Sequence, residues 1–299
     1  MPGAQAHESD DASLARAMYL VRGCCPDTII PYLLEQTECT EQRYSAAYRL
    51  RALQCLVALT DCPQLHSYVA PDTLQRHLDE LTQAVRLEGL GIVCGAELGP
   101  QDVQALTEQL WRDHRHSPAA LLLMADVCLR YKELKASLWN AVLLQLAACL
   151  DAGAVEEAAV RSLLLRLRLH PQLWLVQGFT AAWTAIVSRP FKTLTAPVSE
   201  AGMRRCVDAA SLLSLCPVTL PSTPALVPLL PPLNLHALAI TLAAAHPHTR
   251  SLMQELLDAA PQEALKEQLQ ALAAHAPLPR LVQKLLDANG ITLTSGDAA

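Results

Sequence analysis

The chain is 299 residues long and has a net charge of −6, with 52% hydrophobic residues and only 17% charged residues. This acidic balance, without any basic block, offers no source for the counterion release that drives nucleic-acid binding, so direct binding to nucleic acid is not expected. Leu and Ala dominate and only eleven glycines occur, which favours helices and argues against turn-rich β folds and glycine-rich nucleotide-binding loops.

The beginning of the chain, MPGAQAHESDDASLARAM, has acidic residues where a secretory signal would need basic ones. Ten cysteines are spread along the sequence, mostly inside apolar helical runs such as RALQCLVAL around Cys55 and LAACL around Cys149. Free cysteine behaves in such positions as a small buried hydrophobe. We therefore expect free thiols in a reducing, intracellular compartment, and no disulfide framework.

Helical periodicity and helix-boundary signals recur along the chain. Leu74, Leu78, Leu81 and Val85 form an apolar stripe at helical spacing, and residues 103–111 repeat the pattern. Start signals are Asp72 after Pro71, Ser117 before Pro118, and Ser199 before Glu200, and stop signals are Gly23, Gly89, Gly91, Gly153 and Gly290.

A metal or catalytic site finds little support in the sequence. His114, His116 and Cys128 resemble a metal-ligand set, but a His-x-His pair alone lacks the third and fourth ligands that zinc requires. Glu156 and Glu157 are adjacent and so point to different faces of a helix, which does not suit paired acid–base chemistry. No nucleophile elbow or phosphate-binding loop occurs in the sequence. We expect a protein that is not an enzyme and needs no cofactor or metal.

Four tryptophans lie within apolar helical stripes: Trp111, Trp139, Trp174 and Trp183. Each has Leu or Val neighbours at packing distance along its helix, which favours a structural role as large wedges between helix layers. The alternative is that one or more of them anchors a partner helix, as tryptophan often does at protein interfaces.

The last third of the chain contains two long breaks, residues 188–202 and the Pro-rich residues 216–235. No Asp, Glu, Lys or Arg occurs in residues 209–249, which raises the question of a membrane span. The prolines prevent a continuous spanning helix, and the following helix, expected at residues 234–245, is shorter than the ~20 residues that a bilayer requires. We therefore predict a buried Pro-rich connector rather than a transmembrane segment.

Together these patterns predict an all-α fold. About a dozen antiparallel helices with short connectors would form an irregular α-solenoid without a β-sheet. A soft boundary near residue 190 separates residues 1–190, which carry the aromatic blocks, from residues 191–299, which carry the Pro-rich connector. We expect the two segments to form one continuous structural unit.

Several short blocks of residues, many of them aromatic, follow one another at defined spacings along the chain. The blocks are Leu110–Trp111, His114 and His116, Cys128–Leu129, Tyr131–Lys132, Leu138–Trp139–Asn140, Leu173–Trp174, Val176, Phe179, Ala182–Trp183 and Cys216–Pro217–Val218. In this arrangement the chain resembles the carboxy-terminal region of the Rod family (rough deal, or kinetochore-associated protein 1). The resemblance extends over residues 45–290. We interpret the block residues as structural.

The resemblance implies a non-enzymatic scaffold of the kinetochore corona. Rod proteins act with Zwilch and Zeste-white 10 to support recruitment of dynein, its adaptor Spindly and the Mad checkpoint proteins, which delays anaphase until chromosomes attach. The implied partners are Zeste-white 10 and, through the complex, Zwilch, Spindly and dynein. The implied location is the cytoplasm in interphase and the kinetochore and spindle in mitosis.

Two qualifications come with the resemblance. Rod proteins are far longer and have an initial β-propeller and a long central solenoid, neither of which is expected in this sequence. Functions of those two parts, Zwilch binding among them, do not transfer to this chain. The helical part of Rod is also related to subunits of secretory-pathway tethers that associate with Zeste-white 10. The alternative function is therefore a subunit of a Zeste-white-10-associated membrane-trafficking tether.

Overall fold

The computed structural model describes residues 3–38, 45–92, 100–194, 198–275 and 280–291. These residues form sixteen α-helices and four short 3₁₀-helices, with no β-strand among them, which confirms the prediction of packed antiparallel helices without a sheet. The α-helices are α1 (Gly3–Arg22), α2 (Pro26–Glu38), α3 (Ala46–Val57), α4 (Pro63–Tyr68), α5 (Pro71–Glu88), α6 (Pro100–His114), α7 (Pro118–Arg130), α8 (Ala136–Asp151), α9 (Glu157–Leu167), α10 (Gln177–Lys192), α11 (Glu200–Ser214), α12 (Thr223–Leu226), α13 (His236–Ala245), α14 (Leu252–Asp258), α15 (Gln262–His275) and α16 (Arg280–Ala288). Sixteen exceeds the dozen expected because helices as short as α4, α12 and α14 contain too few residues to show a periodic pattern.

The chain divides into two compact units, residues 1–104 and 105–299, and the division falls within α6. Our expectation that residues 1–190 and 191–299 form one continuous unit stays a prediction. Within the described ranges, no helix is both long enough and apolar enough to cross a membrane.

In the first unit, α3 packs between α2 and α5 around a leucine-rich core. The stripe predicted on α5 faces this core, because Leu74 and Leu81 are buried and Leu78 packs against their neighbours. Glu88, at the end of α5, accepts hydrogen bonds from the backbone N–H of Ala46 at 2.9 and 3.1 Å. A side chain of one helix thus satisfies a free amide at the start of the helix packed against it.

In the second unit, α8 and α10 form the most extensive helix pair. Trp139 of α8 and Phe179 and Trp183 of α10 are fully buried. The rings of Phe179 and Trp183 lie 6.1 Å apart at 53°, within the range of favourable aromatic pairs. The start signals expected here are confirmed, since Ser117 caps α7 and Ser199 caps α11 through their side-chain oxygens.

Helix α13, within the charge-free residues 209–249, forms part of the core of the carboxy-terminal helices. The prolines of the connector before it are half-buried or exposed, so the prediction of a buried connector is wrong for them. All of α13 except Thr241 and Ala245 is buried, and α13 packs against α11, α14, α15 and α16. A helix covered on all sides has no face for charged residues, which explains the hydropathy of this region. The Pro-rich connector before it contains α12 and two 3₁₀-helices, Val227–Leu229 and Pro231–Leu233.

The first long break begins later than expected. We predicted irregular chain from Ser188, but α10 continues to Lys192 with Pro190 inside it. Pro190 stands in the last turn, where its missing N–H removes one backbone hydrogen bond, the one to the carbonyl four residues earlier. Ser188, Pro190 and Phe191 are all buried, so the core holds this turn in helical form. Residues 195–197 of the predicted break lie outside the described residues.

Five helical segments end in the same hydrogen-bonded turn. In each, a residue with left-handed backbone is followed by an amide that bonds to a carbonyl five residues earlier, as in the bond from Glu133 to Cys128 at 2.8 Å. Glycine is favoured at such a left-handed position because it has no Cβ to clash. The left-handed residues are Gly91, Lys132, Gly153, Asn234 and Gly290.

Candidate partner-binding edge

The structure separates the residues that resembled a metal-ligand set. His114 and His116 lie before the start of α7, whereas Cys128 lies near its end. At the helical rise, Cys128 is about 15 Å from the first residue of α7. His116 instead accepts a hydrogen bond from the side chain of Arg115 at 3.2 Å. No cluster of three or more metal-ligating side chains occurs within the described ranges.

Eight cysteines lie in the described part of the chain, and all eight are free; Cys39 and Cys94 lie outside it. Burial raises the pKa of the Cys128 thiol to about 12, and the nearby Glu133 carboxylate adds to this effect. Burial likewise raises the pKa of Cys206 and of Cys216 to about 11. A nucleophilic cysteine requires the opposite shift, so these thiols are suited to packing rather than to chemistry.

Two tryptophans each hold a loop between helices. The indole N–H of Trp139 donates to the carbonyl of Glu133 at 2.9 Å, which fixes the loop of residues 131–135 between α7 and α8. The indole N–H of Trp174 donates to the carbonyl of Arg168 at 3.2 Å, which fixes the loop of residues 168–176 between α9 and α10. Both bonds reach back six residues along the chain.

Asn140 and Gly178 bring the two loops to the same end of the helices. The side-chain oxygen of Asn140, near the start of α8, accepts the backbone N–H of Gly178, near the start of α10, at 2.9 Å. Asn140 directly follows Trp139, and Gly178 lies two residues after the second loop. We call residues 131–135 and 168–176 together the two-loop edge.

Large apolar side chains stand in solvent on the two-loop edge. Leu169 is 72% exposed and Leu175 is 95% exposed, and Tyr131 is also exposed. Between the two leucines, Leu173 is fully buried and anchors a 3₁₀ turn, Pro171–Leu173, to the core. The second loop is therefore fixed by buried Leu173 and by the Trp174 hydrogen bond, while Leu169 and Leu175 point outward.

The two-loop edge also carries positive charge. Lys132, Lys135 and Arg168 have no ion-pair partner among the residues that the structure describes. Glu133 is the one acidic residue in the two loops, and its carboxylate accepts the backbone N–H of Lys135 at 3.1 Å. Helices α8 and α10 both start at the two-loop edge, and neither has an acidic residue in its first turn. The partial positive charge of each helix start therefore adds to the charge of the Lys and Arg side chains.

The remaining residues singled out in the sequence have other places. Trp111 is half-buried on α6. Trp183 is buried in α10, and its indole nitrogen has no hydrogen-bond partner among the residues that the structure describes. Trp139 and Trp174 hold the two loops by their indole hydrogen bonds, and Asn140 connects the loop bases. Phe179 is buried in α10.

Sequence reasoning missed Leu169, Leu175 and Lys135 as surface residues and Gly178 as a contact. One feature of the sequence could have indicated a positively charged surface here. Residues 158–199 contain four Arg and one Lys but no Asp or Glu.

A second concave surface lies between α11, α13 and α15. This groove has a volume of about 240 Å³ and a mainly apolar lining that includes Met203, Leu238 and Leu272. Glu200 and Arg204 stand at its rim, 3.6 Å apart. The two charges face each other across one helical turn, so the groove offers a partner no net charge.

Comparison with known proteins identifies a family and two curated relatives of this chain. The sequence model of the family described as the Rough deal protein C-terminal region matches residues 4–286. Kinetochore-associated protein 1 of Mus musculus is 27% identical over 220 residues, which is 70% of this chain and 10% of that protein. Kinetochore-associated protein 1 of Homo sapiens is 29% identical over 178 residues, which is 58% of this chain and 8% of that protein. The chain thus spans about a tenth of the length of these curated relatives.

Proposed function

The chain belongs to the family of Rough deal protein C-terminal regions, and from this we propose that it is a non-enzymatic scaffold segment of a kinetochore complex. The match over residues 4–286 carries this proposal, because it covers both compact units rather than one short motif. The two curated relatives are named for their association with the kinetochore. The proposed role extends that association to this chain.

The proposed activity is binding. The chain would hold its partners through helical surfaces and supply a fixed spacing between them, as helical arrays do. Support comes from the two-loop edge, where large apolar and cationic side chains stand exposed on loops fixed from within. Further support comes from the raised pKa of the Cys128, Cys206 and Cys216 thiols, which disfavours covalent catalysis.

The proposed partners follow from the family. Zeste-white 10 would bind directly, and Zwilch, Spindly and dynein would be reached through the complex. Recruitment of dynein and of the Mad checkpoint proteins would then place the chain in the spindle assembly checkpoint. The proposed location is the cytoplasm in interphase and the kinetochore and spindle in mitosis.

Imaging of the tagged chain in cells arrested in mitosis with unattached kinetochores tests this function. Focal signal that overlaps a centromere marker is expected, and it should fade once microtubules attach. Signal on the endoplasmic reticulum or vesicles in interphase, with none at unattached kinetochores, would instead favour the membrane-trafficking tether. The tagged family member in full length serves as the positive control for kinetochore signal.

A further inference from the structure

The two-loop edge has the features of a docking surface for one kind of partner. Isolated exposed leucines are ordinary on protein surfaces. Here, however, Leu169 and Leu175 are 72% and 95% exposed within six residues of one another on a fixed loop. Tyr131 is exposed on the other loop of the same edge. An apolar group of this kind is suited to contact with a second protein.

The supporting contacts show that the edge is preformed. Trp174 and Trp139 each hold one loop by an indole hydrogen bond, and the bond from Gly178 to Asn140 connects the two loop bases. Loops fixed in this way lose little conformational entropy when a partner binds, which raises affinity. The exposed leucines therefore face solvent in a defined arrangement rather than on a flexible segment.

The charge of the edge identifies the partner. The chain as a whole has a net charge of −6, yet residues 158–199 contain no Asp or Glu. On the edge itself, Lys132, Lys135 and Arg168 have no ion-pair partner within the described part of the chain. The carboxylate of Glu133 is engaged by a backbone amide. A partner with carboxylates around an apolar stripe complements this surface in both respects.

We propose that the two-loop edge binds an acidic amphipathic helix of a protein partner. The apolar stripe of that helix covers Leu169, Leu175 and Tyr131, and its Glu or Asp side chains face Lys132 and Lys135. Helix-on-surface docking of this type is a common mode of peptide recognition. The proposal rests on the scaffold function proposed above and adds the surface and the chemistry of the segment that it holds.

The test uses the whole 299-residue chain and a fluorescein-labelled synthetic helix of about 21 residues, long enough to be helical in water. This acidic peptide has Leu along one face and Glu on the other. Its basic twin has Lys in place of every Glu. Fluorescence anisotropy should show the acidic peptide binding at least tenfold more tightly than its twin, with weaker binding at higher salt.

Variants of the edge locate the contact. The double variants Leu169→Ser/Leu175→Ser and Lys132→Glu/Lys135→Glu should each weaken acidic-peptide binding at least tenfold. All four side chains are exposed, so both variants should fold, which circular dichroism checks. The matched control is Leu281→Ser/Lys284→Glu, which removes one exposed leucine and reverses one exposed lysine on α16, and which should bind within twofold of the unmodified chain.

Three results would overturn the proposal: equal binding of both peptides, unchanged binding by both edge variants, or preferential binding to vesicles that contain phosphatidylserine. The last would identify an anionic membrane as the partner instead. Failure here differs from failure of the scaffold function, which mitotic imaging tests. Kinetochore signal without peptide binding would support the scaffold function and would show that the two-loop edge does not bind an acidic helix.

Discussion

Asn140 and Gly178 form a hydrogen-bonded close contact between α8 and α10. The side-chain oxygen of Asn140 accepts the Gly178 N–H at 2.9 Å. A Cβ atom at Gly178 would lie 2.6 Å from the Asn140 carbonyl oxygen, which leaves no room for a side chain. The asparagine thus satisfies a free amide at the helix start, and the glycine permits the close approach that makes this bond possible.

Substitution of Gly178 by Ala should therefore reduce stability. In most helices this change is favourable, because Ala has the higher helix propensity. At Gly178 the new Cβ would force α8 and α10 apart, and we expect the free energy of unfolding to fall by about 1–3 kcal/mol. Urea denaturation measures this change. Gly89→Ala is the control, since its Cβ would meet nothing closer than 3.4 Å; an equal loss in both variants would contradict the role of close packing.

The capping bond can be removed separately. Asn140→Ala leaves the Gly178 N–H without its acceptor, and we expect a loss of about 1 kcal/mol, as for other helix-capping side chains. Urea denaturation again gives the value. Exposed Gln172 provides the control, because Gln172→Ala alters a polar side chain in the neighbouring loop that makes no hydrogen bond within the described part of the chain. A loss no greater for Asn140→Ala than for Gln172→Ala would argue against the bond.

Trp174→Phe tests how the second loop is held. Phe keeps much of the apolar surface but cannot donate to the Arg168 carbonyl, so a loss of about 1 kcal/mol is expected. Amide hydrogen exchange should rise in residues 168–176 before it rises elsewhere. Trp111→Phe is the matched control, because Trp111 is also half-buried but has no hydrogen bond from its indole within the described residues. Unchanged exchange in the loop would show that the indole bond is dispensable.

Lys132 and Gly153 occupy equivalent turns with φ of 56° and 69°. A left-handed conformation costs roughly 1 kcal/mol for a residue with a Cβ. Lys132→Gly should therefore raise the free energy of unfolding by up to about 1 kcal/mol, while Gly153→Ala should lower it by about the same amount. Thermal denaturation compares the pair. If Lys132→Gly were destabilising, the lysine side chain would have a stabilising contact that outweighs the backbone strain.

The cysteines should differ sharply in reactivity. Cys24 is exposed, whereas Cys128 is buried with its pKa raised to about 12 by burial and then by Glu133. At pH 8 a thiol with that pKa is ionised in about one molecule in ten thousand. A short iodoacetamide pulse followed by peptide mass spectrometry should label Cys24 and spare Cys128 until urea unfolds the chain. Equal native labelling of both would contradict the burial of Cys128.

The same raised pKa has a consequence for stability at high pH. Because folding raises the pKa of Cys128 above its ordinary value of 9, the folded state keeps the thiol neutral where the unfolded state ionises. The contribution of the neutral Cys128 thiol to the free energy of unfolding is intact below pH 9. It is lost as the pH rises toward about 12. Cys128→Ala removes this thiol, so the free energy of unfolding should fall less between pH 9 and about 12 than it does in the unmodified chain.

Local signals in the sequence predicted much of the helical framework. Ser117 and Ser199 cap helices as expected, and Gly91, Gly153 and Gly290 end them with left-handed backbone. Lys132 and Asn234 take the same conformation without glycine, and the next amide closes the turn in both cases. Asn is known to accept this conformation, whereas Lys gives no local signal for it. The residue type of Pro190 predicts a loop, but burial of Ser188, Pro190 and Phe191 keeps this turn helical despite the missing amide.

The candidate site was less predictable than the fold. Trp139, Asn140 and Trp174 were singled out by their spacing, yet their hydrogen bonds to loop carbonyls and to Gly178 depend on how helices pair in three dimensions. Leu169 and Leu175 look like core residues in the sequence. Their exposure arises because the 3₁₀ turn at Pro171–Leu173 directs Leu173 toward the core and leaves Leu169 and Leu175 in solvent.

Co-purification with Zeste-white 10 tests the proposed scaffold function most directly. The two proteins would be expressed together, purified through a tag on this chain, and run on size-exclusion chromatography beside each protein alone. The account predicts one joint peak that elutes earlier than either protein, with both chains in constant proportion across it. Two separate peaks at the positions of the individual proteins would contradict it.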